Sequence, residues 1–283
     1  MDFLPRLELG KWMESFIDWL RHADWLFDGV DEAIGLLITS IHTVISLPPS
    51  WLMILLLAVL TFIISRRKWG LVVFVVLGLM LIENLGLWEG MLNTLSVVLS
   101  AGLISVVFGV PLGIWMAKSD RVEAVVKPLL DLMQTMPAFV YLIPAVAFFG
   151  IGMVPGVVAS VIFAMPPTVR MTNLGIRQVS TELIEAADAF GSTSTQKLFK
   201  VQLPMARGTI MAGINQSIML ALSMVVIAAM IGAEGIGQSV YRAVGRNDIG
   251  GGFEAGLAIV ILAIILDRLT QSLNAKRTHQ THD

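Results

Sequence analysis

The sequence specifies an all-α integral membrane protein, a polytopic helical bundle of about seven spans, and two observations carry that expectation. Of its 283 residues, 56% are hydrophobic and only 14% charged, with mean hydropathy +0.80, whereas soluble domains are about 45–50% apolar. The apolar residues run together in long stretches, and Lys and Arg collect in alternate joints between them, the bias that orients membrane proteins. There is no cysteine, so the chain has no disulfide, thiolate nucleophile or cysteine-ligated metal. The 16 methionines read as packing, and the net charge of −2 excludes little by itself.

Residues 7–28 read as an amphipathic helix in the interface, with Trp12, Phe16, Trp19 and Leu20 alternating with Lys11, Glu14, Asp18 and Arg21. No cleavable signal is expected, because residues 1–33 carry eight Asp and Glu against three Lys and Arg. Residues 34–47 are apolar but too short for the roughly 20 residues of a straight span. Pro48 and Pro49 stop them, so this stretch is expected to be interfacial or re-entrant.

Seven spans then follow: 50–65, 69–87, 90–117, 137–151, 154–168, 208–232 and 253–266. Several are short, which demands tilt, local thinning or snorkelling of Arg66. Trp51, Trp69 and Trp88 stand at span ends, where indole favours the headgroup layer. Basic clusters mark four joints: Arg66, Arg67 and Lys68; Lys118, Arg121 and Lys127; Arg170, Arg177, Lys197, Lys200 and Arg207; and Lys276 with Arg277. With seven crossings all four fall on the cytoplasmic side, which puts the N-terminus outside and the C-terminus inside. Arg242 and Arg246, in the joint 233–252, are the exception. The expected divisions are an external N-terminal region 1–49, accessory helices 50–89, a core 90–272 and a cytoplasmic tail 273–283.

One charged helix-turn-helix interrupts this hydrocarbon. Within 181–190, Leu183, Ala186, Ala187 and Phe190 share one helical face while Glu182, Glu185 and Asp188 share the other. Gly191 supplies a left-handed terminus, Thr193 and Gln196 form a capping-box pattern, and Pro204 is expected to close the unit.

Glu185-Ala186-Ala187, three residues, Gly191, nine residues, then Val201-x-Leu203-Pro204 resembles the EAA signature of permease subunits of bacterial ATP-binding-cassette importers, with Val201 where Ile is commoner. The resemblance extends over about residues 90–237, where LDLMQTMPAFVYLIPAV, FAMPPTVRMTNLGIRQV and NQSIMLALSMVVIAAMIGAEGIGQ are similar to permeases for glycine betaine and proline betaine. It implies a fold of the ABC-importer permease type in a bacterial cell membrane. It also implies that the hairpin 181–204 is a cytoplasmic coupling helix docked on a separate ATPase through Glu185, Ala186, Ala187, Asp188, Gly191, Leu203 and Pro204. Two permease copies, two ATPases and an extracellular betaine-binding protein complete the implied assembly. The chain itself has no G-x-x-x-x-G-K-[ST] loop, so nucleotide and hydrolysis belong to the partner and no cofactor is expected here.

A quaternary ammonium has no N–H to donate, so its site needs aromatic faces and donors for its carboxylate. Tyr141, Phe139, Phe148, Phe149 and Phe163 offer faces, although packing is the commoner use of aromatics in spans. Asn215, Gln216 and Ser217 are translocation-path candidates, since polar groups turn away from lipid; interhelical hydrogen bonding is the equal alternative. Glu83 and Glu89 lie near the outer end of their spans. Pro111, Met136-Pro137, Pro144 and Pro166-Pro167 are expected to interrupt helices. Gly232-x-x-Gly235-x-Gly237 has the wrong order for a dinucleotide motif and resembles the outer loop of the same permease family.

An ion-gradient-driven transporter or channel is the alternative class, but no inverted repeat, paired intramembrane carboxylates or filter sequence accompanies it. Enzymatic and metal chemistry find no foothold: His22, His42, His279 and His282 lie outside the spans and show no ligand spacing. A chain this apolar is not a nucleic-acid binder.

Overall fold

The computed structural model describes residues 8–22, 24–65 and 69–278, and every regular element among them is a helix. The joint Arg66, Arg67 and Lys68 and the tail residues His279 and His282 lie outside the described residues, as do the side chains of Glu14, Phe16, Arg21, Lys276 and Arg277.

The helix expected over 7–28 is two helices, α1 (Leu9–Arg21) and the start of α2 (Asp24–Ser46). His22 ends the first, its N–H reaching the carbonyls of Leu20 and Trp19. Trp12, Trp19 and Trp25 are all exposed, as an interfacial location requires. The expectation that 34–47 forms a short separate segment is corrected: α2 is one helix of 23 residues, and Trp25–Ser46 is long and apolar enough to cross a bilayer.

Its contacts nevertheless lay it across one end of the bundle. Phe27 stacks on Phe148 at 4.3 Å, Gly35 lies near Val154, and His42 sits 3.3 Å from Glu89. These partners occupy one level, where α7 (Leu142–Phe149) ends and α8 (Met153–Arg177) and α5 (Trp88–Lys118) begin. Gly152 donates to the Ile231 carbonyl at 3.0 Å, and Ile236 N–H donates to Thr94 Oγ1 at 2.9 Å, which brings the top of α11 (Leu203–Ala229) to that level too.

From there the chain alternates. α3 (Ser50–Ile64) starts at this end, where Ser50 donates to Glu83 at 2.8 Å, and α4 (Trp69–Asn84) returns to it. α5 descends, α6 (Asp120–Thr135) runs along the opposite end, and the chain bends by 108° before climbing through a 3-10 turn at Ala138–Tyr141 into α7. α8 descends to the hairpin, α11 climbs, α12 (Ile236–Arg246) lies at the first end, and α13 (Ile249–Thr278) descends. The alternation follows the expected order of seven crossings. By length and composition, however, five helices among the described residues suffice for a span, or six with the bent pair 120–149. α3 and α4, at 15 and 16 residues, are shorter, near 24 Å at ~1.5 Å per residue.

The expected helix interruptions at Pro111 and Pro166-Pro167 are also corrected, because α5 and α8 run through them unbroken. Pro144 falls in the first turn of α7, where its missing N–H has no intrahelical partner to lose. Of these four, only Met136-Pro137 falls at a break between helices. Met136 takes an extended ψ of 140°, as the residue before proline must.

The centre of the bundle is α8, which extends nine residues beyond the expected Thr168 end and is clasped between α5 and α11. Lipid tails are as apolar as leucine, so the clasp rests on close approach rather than on expulsion of water. A Cβ on Gly113 of α5 would stand 2.6 Å from the Val169 carbonyl of α8. A Cβ on Gly213 of α11 would stand 2.9 Å from the Pro167 carbonyl and 2.6 Å from Met171 Cβ. Thr168 and Ser217 hydrogen-bond across α8 and α11 at 2.8 Å, fully buried.

Gly213→Val should therefore separate α8 from α11 and cost about 1–3 kcal/mol or more, read as a lower Tm of the purified protein in detergent. Gly208→Ala, with nothing within 4 Å of the new methyl, should leave Tm unchanged.

Candidate functional site

The hairpin is built from α9 (Thr181–Ala189) and α10 (Ser194–Lys197), and its turn is tied by its own backbone. Gly191 adopts φ +74, a left-handed conformation that glycine takes without penalty. That geometry lets Ser192 N–H reach the Ala187 carbonyl at 3.0 Å and Gly191 N–H the Asp188 carbonyl at 2.9 Å, a Schellman motif. The capping box forms as the sequence indicates: Thr193 N–H donates to Gln196 Oε1 at 2.8 Å, and Gln196 N–H donates to Thr193 Oγ1 at 3.3 Å. Lys197 bridges back to Asp188 at 2.5 Å.

The surface this leaves differs from the expected face in three ways. Ala187 is buried while Ala186 is exposed, because consecutive helical positions point about 100° apart. Asp188 is engaged by Lys197 within the chain, whereas Glu182 and Glu185 are exposed and make no ion pair among the described residues. Leu183 is exposed and Phe190 is 91% exposed, an unusual placement for a large aromatic at the tip of a turn.

Pro204 does not close the unit. A π turn at Leu198–Gln202 joins α10 to α11, and residues Ser194–Ala229 form one helical run of 36 residues. Pro204 falls in the first turn of α11, and the wider π turn before it accommodates the missing N–H. Leu203 packs with the buried cluster of Ile176, Leu198, Ala206 and Ile210, which fastens the base of the hairpin to the lower end of α8.

A charged knot lies beside that base. Arg177 of α8 holds Asp120 at 2.7 Å, Glu123 at 3.0 Å and the Met116 carbonyl at 2.9 Å, while Asn173 donates to Glu123 at 2.9 Å. Arg170 holds Asp131 at 2.6 Å. The sequence showed these arginines as orienting charges; the structure makes them clamps between α6 and α8.

The three polar residues of α11 part company. Asn215 donates to Asp267 of α13 at 2.8 Å and accepts from Thr270, Ser217 faces Thr168, and Gln216 is exposed. Tyr141 is buried, and its hydroxyl donates to the Leu132 carbonyl at 3.1 Å. Asn215, Ser217 and Tyr141 thus join helices, and of the four only Gln216 presents a free polar group. Phe148 and Phe149 are covered by Phe27 of α2. Sequence reasoning missed Asp267, which a span ending at Leu266 left at the edge. Thr270 and Gln271, one turn on, mark a polar helix face that meets the half-buried Asn215.

Residues 109–279 match the family described as binding-protein-dependent transport system inner membrane component. The chain is 65% identical over 278 residues to the glycine betaine/carnitine transport permease protein GbuB of Listeria monocytogenes serotype 1/2a (strain 10403S), covering 98% of this chain and 99% of that protein. It is 55% identical to the glycine betaine transport system permease protein OpuAB of Bacillus subtilis (strain 168), covering 98% of each. Identity to the glycine betaine/proline betaine transport system permease protein ProW of Escherichia coli (strain K12) is 48%, over 94% of this chain and 75% of that protein. Among solved structures, an inward-facing form of the MetNI methionine ABC transporter superposes with TM-score 0.61 at 21% identity, covering 65% of this chain and 92% of that one. The helical order, the hairpin between α8 and α11 and these likenesses converge: the chain belongs to the family of binding-protein-dependent transport system inner membrane components.

Proposed function

We propose that this chain is the permease subunit of an ATP-driven importer of glycine betaine or a closely related compatible solute, working as a pair of copies with two ATPase subunits and an extracellular binding protein. The relatives named for glycine betaine transport, with near-complete coverage on both sides, support the substrate class. The observation that carries the mechanism is the hairpin. Its turn is rigid without a partner, its Leu183 and Phe190 are uncovered, and it continues directly into a helix of the bundle.

A rigid apolar tip with Glu182 and Glu185 beside it suits a groove with a basic rim on the ATPase. Displacement of the hairpin would pass through the π turn into α11 without a flexible joint to absorb it. Closure of the ATPases on ATP would open the far end to the binding protein, and hydrolysis would return the access inward. In this reading the hairpin end is cytoplasmic, as is the C-terminus, and α2 and α12 lie on the outer surface of the cell membrane. Gln216 is the polar side chain we assign to the path, whereas Asn215, Ser217 and Tyr141 hold the helices that form it.

Purified complex in liposomes should accumulate radiolabelled glycine betaine only with ATP inside the compartment that holds the hairpin; uptake that follows an ion gradient without ATP would refute the assignment. Gly191→Val, forced into a left-handed conformation costing about 1–2 kcal/mol, should cut uptake severely and weaken ATPase co-purification. Gly191→Asn, which tolerates that conformation, should retain most of both. Gln216→Ala should raise the KM for solute with Tm unchanged, whereas Asn215→Ala should lower Tm.

A further inference from the structure

The outward face of α13 is apolar through Phe253, Val260 and Ile264 and then turns polar at Arg268 and Gln271. α4 packs on the same helix farther up, where a Cβ on Gly78 would stand 2.6 Å from Ile261 Cγ2. Toward the hairpin end the two helices part. A groove of about 460 Å³ opens between them, with Leu71, Phe74 and Ile264 along its apolar part and Arg268, Gln271 and Ser272 at its polar part. Val73 and Leu77 of α4 and Val260 of α13, all exposed, face outward beside it, so the groove opens toward hydrocarbon.

Arg268 is weakly held within the chain. Its Nε lies 3.9 Å from Asp267 Oδ2, too far for a hydrogen bond, and Asp267 Oδ1 already accepts from Asn215 at 2.8 Å and from Gln271 at 2.7 Å. The terminal nitrogens of the guanidinium have no partner among the described residues. Arg121 and Arg207 at the same end also lack ion pairs, so a free charge alone marks nothing; Arg268 stands on a groove that runs up into the apolar layer. The level is that of the lipid headgroups. Trp69, exposed at the start of α4 beside Gly70 of the groove, occupies the position indole favours there, and Arg66, Arg67 and Lys68 immediately precede it in the sequence.

We infer that this groove seats one glycerophospholipid of the leaflet on the hairpin side, its phosphate on Arg268 with Gln271 and Ser272 beside it, and an acyl chain along Leu71, Phe74 and Ile264 toward Gly78. A guanidinium fork matches phosphate oxygens bidentately, and with Asp267 beside Nε the two terminal nitrogens are the donors that remain. The groove far exceeds the ~30 Å³ share of one water, and its apolar walls give water or a free anion nothing to bond. A phospholipid supplies both halves, and the phosphate common to all of them suffices whatever the rest of the headgroup carries. Seated there, it joins α4 to α13 at the level where the two helices have parted. The inference stands on the membrane fold and does not depend on the solute carried.

The protein purified in mild detergent, with the subunits that accompany it, should retain a phospholipid on each copy in native mass spectrometry. R268Q should weaken that retention by about tenfold or more. Gly70→Leu should abolish it by another route, because Gly70 lines the groove and a Cβ there meets nothing within 4 Å, so the longer side chain fills the space without striking the protein. That variant leaves Arg268 in place and decides the matter should R268Q fail to fold. Arg121→Gln, at an exposed arginine of the same end, should retain the lipid as wild type does. After delipidation, phosphatidylcholine or phosphatidylglycerol should raise the Tm of the wild type, and neither diacylglycerol nor inorganic phosphate should. Full retention in R268Q or Gly70→Leu, an equal loss in Arg121→Gln, or equal binding of diacylglycerol would overturn the inference. A Tm raised by inorganic phosphate alone would assign the site to a free anion and overturn it too.

Discussion

The whole architecture depends on how closely α8 is approached by its two neighbours. In hydrocarbon no hydrophobic force drives helices together, so contact must come from dispersion and hydrogen bonds made at short range. Gly113 and Gly213 remove side chains where α5 and α11 meet backbone carbonyls of α8, and the buried Thr168–Ser217 bond joins the same helices. Because α8 ends at the hairpin and α11 begins there, this clasp also fixes the direction in which the hairpin projects.

The lower end of the clasp is electrostatic where the middle is steric. Arg177 gathers carboxylates from Asp120 and Glu123 and a carbonyl from Met116, so the C-terminus of α5, the start of α6 and the end of α8 are held by one guanidinium. Nε and Nη2 of the planar guanidinium reach Asn173, Met116, Asp120 and Glu123 together, a spread that a lysine could not reproduce. Next to it, Leu203 and Leu198 pack against Ile176, so apolar and ionic attachments meet where the hairpin joins the membrane body.

Much of this was legible in the sequence because the signals are local. Gly191, Thr193 and Gln196 encode the turn and the capping box through contacts within a few residues, and both form as read. The break at Met136-Pro137 follows equally from one dihedral restriction. What escaped depends on distant partners. Proline content alone does not distinguish Pro166-Pro167, accommodated in a tightly packed helix, from a kink. The burial of Ala187 and the capture of Asp188 by Lys197 require the hairpin to be folded back on itself. Asp267 was hidden for the same reason: a span boundary drawn on hydropathy ends at the first charge, whereas Asn215 and Gln271 donate to it across and along the helices. α2 shows the limit of composition most plainly, since length and hydropathy permit a crossing and only its contacts lay it flat.

That flat helix acts as a brace. Through Phe27, Gly35 and His42 it touches the ends of α7, α8 and α5 in turn, so those three ends cannot spread without opening the Phe27–Phe148 stack or the His42–Glu89 contact. The rod that carries the hairpin, 36 residues without a break and roughly 54 Å long at ~1.5 Å per residue, ends at the braced level, so one continuous helix joins the two faces of the molecule.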